Sequence, residues 1–194
     1  MLCIKIPEIR ANMNESLSKY AEAVAELANS KRPNLMHNEG DSHALIIFTN
    51  IFNTAEDYVK IVARNLANEE VANNPLYIEA LKSFLGRKNT TLSILLSEYD
   101  QHVTPKLPLF EMIKSTKAYR DGRVDIAYTG GRHFTSSDNN EIHFCVADDR
   151  IFRLETDVNA RKAICNFKDE EIVSKLNESF TSARNSATTM HVEL

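Results

Sequence analysis

At 194 residues, with 43% hydrophobic and 26% charged residues, the chain is sized for one substantial core, and its composition excludes the collagen-like, coiled-coil and disordered classes. The net charge of −4 divides into 10 basic and 13 acidic residues through Asp100 and 13 and 14 beyond it, which argues against a chain-wide polyanion-binding surface. Five glycines, with no GxGxxG or GxxxxGK run among them, exclude the nucleotide cradles that bring backbone against phosphate, and no cofactor is expected.

The start, Met1 to Pro7, lacks the apolar region of a signal peptide. From about Asn14 to Asn29, Leu17, Tyr20, Ala21, Val24, Leu27 and Ala28 recur at three- and four-residue steps and predict a helix. Ser30–Ser42 reads as a loop, and the continuous apolar run Ala44–Phe48 as a strand covered on both faces. That run, the longest in the chain, is far below the roughly 20 residues of a membrane span. Thr54 and Asp57 resemble a capping box ahead of a helix carrying Tyr58, Ile61, Val62, Asn65 and Leu66. Asn74-Pro75 opens another helix, with Leu76, Ala80, Leu81, Phe84 and Leu85 as its buried stripe and Gly86 as its end. Thr91–Leu96 is a strand, and Pro108 starts a helix closed by Asp121-Gly122.

Val124, Ile126 and Tyr128 alternate with more polar neighbours as in a half-wet strand, and Thr129–Asn140 is a polar loop. Ile142–Val146 and Ile151–Glu155 are strands around Asp148-Asp149, and a last helix covers about Asp169 to Arg184. The order predicts a single α/β domain with a mixed, largely central sheet flanked by helices. Residues 1–42 form its N-terminal helix and loop, 43–185 its core and 186–194 a tail.

The apolar faces of the Asp148-Asp149 hairpin match only if Phe144 pairs with Leu154 and Val146 with Phe152, over an odd-length loop, most simply Asp148–Arg150. His143 then lies across from Glu155 and Cys145 across from Arg153, so one face gathers Glu141, His143, Arg153 and Glu155. A carboxylate-held histidine is a candidate nucleophile or base, and an arginine a candidate phosphate clamp. The favoured expectation is plainer: an opposite-charge network on an exposed sheet face.

Other groupings are weaker. His143-x-Cys145, with His133 and Cys165, has no established zinc spacing, and no metal is expected. Cys3, Cys145 and Cys165 form no CxxC, which suits a reducing, cytoplasmic setting. Ser136-Ser137-Asp138 near His133 lacks a nucleophile elbow. Lys114, Lys117, Arg120, Arg123 and Arg132 are interleaved with acidic residues and read as a solvated helix end, with Tyr119 and Tyr128 as core or rim residues.

The helix ending Ala118–Gly122, then Val124-Asp125-Ile126, the long polar loop and Ile142–Asp149 together make the chain resemble one half of a phospholipase D-like domain, best covered from about Ala44 to Arg184. In that family the hairpin strand carries HxKxxxxD, in which the histidine attacks phosphorus and the lysine binds its oxygens. Aligning Asp148 with the family aspartate puts Glu141 and His143 at the histidine and lysine positions. Aligning Asp149 puts Ile142 and Phe144 there, and aligning His143 with the nucleophile puts Cys145 for lysine and Arg150 for aspartate. The glycine-serine turn of the family is replaced by Glu155–Asn159.

The resemblance implies a homodimer, because active members build one site from two halves. The absence of HxKxxxxD points to a non-catalytic module that acts as a binding, sensing or regulatory subunit, with a protein or nucleic-acid partner and no membrane. The alternative is a diverged nuclease or phosphodiesterase with His143, Arg153, Glu155 and Glu141 at its site. An accessory role in a toxin–antitoxin or antiviral system is a third expectation.

Overall fold

The computed structural model describes residues 15–194; Cys3 and the expected helix start at Asn14 lie outside the described residues. Helix α1 spans Glu15–Ser30 and buries Val24 and Ala28, two residues of the predicted stripe. Strand β1, Met36–Glu39, follows where a loop is expected. It is short and mostly polar, and it forms because it pairs antiparallel with β7, Lys162–Asn166, a strand that pattern reading also passes over.

Two expectations exchange places. Ala44–Phe48 is not a strand but the start of the buried face of α2, Asp41–Thr54. This helix packs against α1 on one side, against α3 (Pro75–Gly86) on another, and against the sheet below. A helix enclosed on several sides is apolar nearly all round, so Ile46, Ile47, Phe48, Ile51 and Phe52 are all buried. Tyr58–Ala63 is not a helix but strand β2. Thr54 Oγ1 donates back to the Asn50 carbonyl at 2.7 Å inside α2, so it cannot cap a helix that starts after it. The β-branched Val59, Ile61 and Val62 suit the pleated position they occupy.

The remaining elements follow their punctuation. Asn74 caps α3 by accepting from Leu76 N at 3.0 Å, with Pro75 at the first helical position. Tyr77, rather than Leu76, joins Ala80, Leu81, Phe84 and Leu85 inside. Strand β3 is Thr91–Leu96. The helix expected from Pro108 is two pieces, α4 (Pro108–Ser115) and α5 (Lys117–Arg120), broken at Thr116, whose hydroxyl caps the second. Then come β4 (Val124–Tyr128), β5 (His143–Ala147), β6 (Ile151–Asp157), β7, helix α6 (Glu170–Arg184) and the two-residue β8 (Met190–His191).

The sheet order is β1-β7-β6-β5-β2-β3-β4-β8. β2, β3 and β4 are parallel, whereas β5, β6, β7 and β1 extend the sheet antiparallel on one side and β8 closes the other. This is the mixed α/β architecture expected. One face of the sheet packs beneath α1–α5. The other receives α6 through Val173, Leu176 and Phe180, each contributing about 1.5–3 kcal/mol on burial.

The β5–β6 hairpin has the predicted register: His143 opposes Glu155, Phe144 opposes Leu154, Cys145 opposes Arg153 and Val146 opposes Phe152. Asp148 and Asp149 turn it with φ of 51° and 52°, and Arg150 N bonds the Ala147 carbonyl at 3.2 Å. The Asp148 carboxylate accepts from the backbone N–H groups of Glu56, Asp57 and Tyr58 at 2.6, 2.9 and 3.2 Å. The hairpin tip is thereby fastened to the start of β2.

Candidate functional site

His143, Arg153 and Glu155 share the sheet face that α1–α5 cover, and Glu141 joins them just before β5. The expectation of an exposed face therefore fails. Arg153 is 3% exposed and Glu155 4%, because α2 lies over the hairpin's polar row and places Phe48 against the guanidinium, 5.1 Å from ring centroid to Cζ. Across the strands, Arg153 sits between Cys145 of β5 and Cys165 of β7. Both thiols are buried, and burial pushes each up to about 12, far from reactive thiolates.

The four predicted residues form one chain of contacts. Arg153 Nη2 donates to Glu155 Oε1 at 3.1 Å, and Glu155 Oε2 meets His143 Nδ1 at 3.1 Å. His143 Nε2 reaches Glu141 Oε1 at 3.2 Å. Burial alone would raise the Glu155 carboxyl, but the His143 hydrogen bond and the Arg153 charge outweigh it and hold it below its usual range. Glu141 is pulled down to about 2, foremost by the hydrogen bond from Arg64, with His133 and His143 adding to it.

Arg64 and Ser97 are members that the sequence does not single out, and His133, weighed there only as a metal ligand and beside Ser136-Ser137-Asp138, joins them. Arg64 pairs with Glu141 through Nε and Nη2 and lies 3.6 Å from Glu98. His133 Nδ1 is 2.8 Å from Glu141 Oε1 and 3.2 Å from Ser97 Oγ. Serine and carboxylate thus meet the same ring nitrogen, so the three do not form a relay, in which the histidine must use both. Arg64 and Ser97 directly follow the apolar runs of β2 and β3, and their signal was positional: ligands of open α/β sheets gather beyond the carboxyl ends of parallel strands.

The other groupings resolve as scaffold. His143 and Cys145 share a face, yet both imidazole nitrogens are taken by carboxylates. No group of three or more His, Cys, Asp or Glu is placed to hold a metal ion among the described residues. Ser136 Oγ is buried without a partner there and does not meet His133. Arg123 donates to the carbonyls of Leu85, Arg87 and Thr90, Arg120 to Ser115 and Arg132 to Thr129, so these arginines tie loops rather than form a cationic strip. Lys117 lies 4.0 Å from Asp121. Tyr119 accepts from Leu194 N at 2.8 Å, and Tyr128 packs on Tyr99 at 6.2 Å.

The wall formed by His143, Arg153 and Glu155 borders a cavity of about 340 Å³ between α2, the loop after β2 and the β6–β7 turn. Its apolar lining includes Ala44, Phe48, Ile61 and Val71, with Arg64 and Arg161 also on the wall. Arg161 is held at 2.8 Å by Asp41.

No protein-family model matches the sequence, and no curated protein matches it. Solved structures do. One is TrmBL2, an archaeal chromatin protein described as showing a novel mode of DNA binding, at 16% identity and a TM-score of 0.52, over 91% of this chain and 62% of that one. Another is NucT from Helicobacter pylori, at 13% identity and a TM-score of 0.52, over 82% of this chain and all of that one. A third is phosphatidylserine synthase of Haemophilus influenzae Rd KW20, at 11% identity and a TM-score of 0.51, over 82% and 39%. No helix among the described residues is long and apolar enough to cross a membrane. The likeness is one of fold, spanning under two thirds of two of these three chains.

Proposed function

We propose that the chain is a phospholipase D-like module without phosphodiester chemistry of its own, acting as a binding, sensing or regulatory subunit in a homodimer. The observation that carries this is the seating of His143 between two carboxylates, Glu155 at Nδ1 and Glu141 at Nε2. Both ring nitrogens are thus engaged by carboxylates, and neither is left free to attack phosphorus. The position of Asp148, its carboxylate buried at the hairpin tip, supports the register in which Glu141 replaces the family's nucleophile and His143 its lysine. Glu141 is itself occupied by Arg64, His133 and His143.

The DNA binding described for TrmBL2 supports a nucleic-acid partner over a protein one. The second reading, a diverged nuclease or phosphodiesterase, is favoured by one fact only: the polar wall borders a cavity at the carboxyl end of β2 instead of facing bulk solvent. Bis(p-nitrophenyl) phosphate and single-stranded DNA, incubated with the purified protein and with a His143→Ala variant, separate the two. Equal background rates are expected from both proteins. Turnover by the parent that the variant loses would refute the non-catalytic reading, and a monomeric mass by light scattering would refute the dimer.

A further inference from the structure

Strand β2 carries a positive charge in its middle, on the face that α6 covers. Lys60 lies opposite Val146 of β5 and Ser93 of β3. It is the single lysine among the described residues that is not exposed. Its Nζ donates to a neutral acceptor, Asn177 Oδ1 of α6, at 2.8 Å, and it forms no ion pair among the described residues. Asn177 Nδ2 donates to the Tyr58 hydroxyl at 2.7 Å, which leaves the amide oxygen turned toward the lysine. Tyr58 donates in turn to Asp149 Oδ1 at 2.6 Å, so the acid of this network is engaged by the phenol and not by the ammonium. Two rings flank Nζ, with centroids at 4.9 Å for Tyr58 and 5.5 Å for Phe180. Burial lowers the Lys60 pKa from its usual value, against the opposing pull of Asp149.

We infer that Lys60 is a binding site for a small neutral aldehyde, captured as an iminium between the Tyr58 and Phe180 rings. This goes beyond the binding role proposed above and does not depend on it. A lysine clamped by a carboxylate is held protonated, without a lone pair to offer, whereas an amide oxygen accepts a hydrogen bond without adding that hold. Once Nζ has shed a proton, its lone pair forms a bond to the carbonyl carbon and the carbonyl π pair moves to oxygen. The oxygen takes up two protons, the one shed beforehand and one from the new adduct nitrogen, and leaves as water while the nitrogen pair closes the C=N bond. Ammonium and aldehyde thus give iminium and water, with no net change in protons or electrons. The product keeps one N–H and its positive charge, so the hydrogen bond to Asn177 and the contacts with both rings survive. Acylation would erase the charge and those ring contacts with it. Asp149, on the same network, selects against an aldehyde that carries a carboxylate.

Reductive trapping of the whole chain at neutral pH tests this. Butanal is the probe, sodium cyanoborohydride reduces any iminium to a stable secondary amine, and peptide mass mapping measures the adduct at each lysine. Lys60 is expected to be alkylated at least about tenfold faster than the exposed Lys88 and Lys114. That preference should vanish in the chain unfolded by guanidinium chloride, and it should vanish in the folded chain when glyoxylate replaces butanal. Asn177→Asp keeps Lys60 but sets a carboxylate beside its ammonium, so Lys60 should fall to the rate of Lys88 while Lys88 is unchanged; the folded and unfolded parent carry the test if that variant does not fold. Lys60 alkylated no faster than Lys88, a preference that persists after unfolding, an equal preference with glyoxylate, or a folded Asn177→Asp protein that labels like the parent would each overturn the assignment.

Discussion

Replacing Glu155 by leucine isolates the energetics of the polar wall. Arg153 and Glu155 are both buried, and the guanidinium has one carboxylate within reach, at 3.1 Å. Glu155→Leu therefore leaves a desolvated cation with Phe48's ring as its main compensation, a loss that costs about 3–5 kcal/mol. His143 Nδ1 loses its acceptor in the same step, adding about 1 kcal/mol. With a urea m-value of about 2 kcal/mol/M, the unfolding midpoint should fall by about 2–3 M. Arg153→Met should cost less, since Glu155 keeps its bond to His143. The double variant Arg153→Met/Glu155→Leu replaces both charges with hydrocarbon and should return to within about 2 kcal/mol of the parent. Urea titrations of the four proteins, followed by circular dichroism, complete the cycle. A Glu155→Leu loss below about 1 kcal/mol, or a double variant as unstable as the two single losses added together, would refute the reasoning.

Three further outcomes can be measured alongside it. Glu141, whose folded-state pKa is lowered to about 2 from 4.5, contributes stability that is fully present above about pH 4.5 and is lost as pH falls toward about 2; discounting for the half-exposed Arg64, this is roughly 2 kcal/mol. The gap between the parent and Glu141→Gln in urea melts should accordingly be full at pH 6 and shrink below pH about 4.5. Asp148→Ala strips a charged acceptor from three backbone N–H groups and should cost about 2–4 kcal/mol, with Asp148→Asn intermediate, in the same melts. At Gly130, φ is +71° and an added Cβ would come within 2.9 Å of the Thr188 carbonyl oxygen, so Gly130→Ala should lose about 1–3 kcal/mol by thermal unfolding. Gly122→Ala, with the same φ of +71° and nothing within 4 Å, should lose less.

Local periodicity carries the hairpin and fails at α2 and β2 for a physical reason. Phe144, Val146, Phe152 and Leu154 face one way while their neighbours face the other, and that two-residue period admits only one pairing, so the polar row could be read before any coordinates. Burial hides periodicity: α2 is covered on several sides, and its Ala44–Phe48 run has no polar stripe by which to recognise a helix. In β2, Tyr58, Ile61 and Val62 recur at helical steps because both faces of the strand are covered: Ile61 faces α1–α5, and Tyr58 and Val62 face α6. Of the site, the four hairpin residues were visible because one hairpin brings them together. Arg64, Ser97 and the role of His133 beside them were not, because these residues come from three other parts of the chain: Arg64 and His133 meet Glu141, and Ser97 meets His133, only through the parallel sheet order. That Arg153 is covered depends on α2, the element that local pattern misassigned.

The grip of Asp148 on Glu56, Asp57 and Tyr58 bears on how such a site changes over generations. Sliding β5 by one residue along β2 would turn the row of His143 and Cys145 to the α6 side and bring Phe144 and Val146 beneath α2. Any such slide must first break those hydrogen bonds at the far end of the hairpin from His143. Alignment of the strands is thereby separated from the chemistry they carry. Residues 141, 143, 153 and 155 can be exchanged for other mutually paired sets while the backbone beneath them keeps its place. A scaffold arranged in this way can lose one reaction and acquire a recognition role without passing through a misaligned sheet.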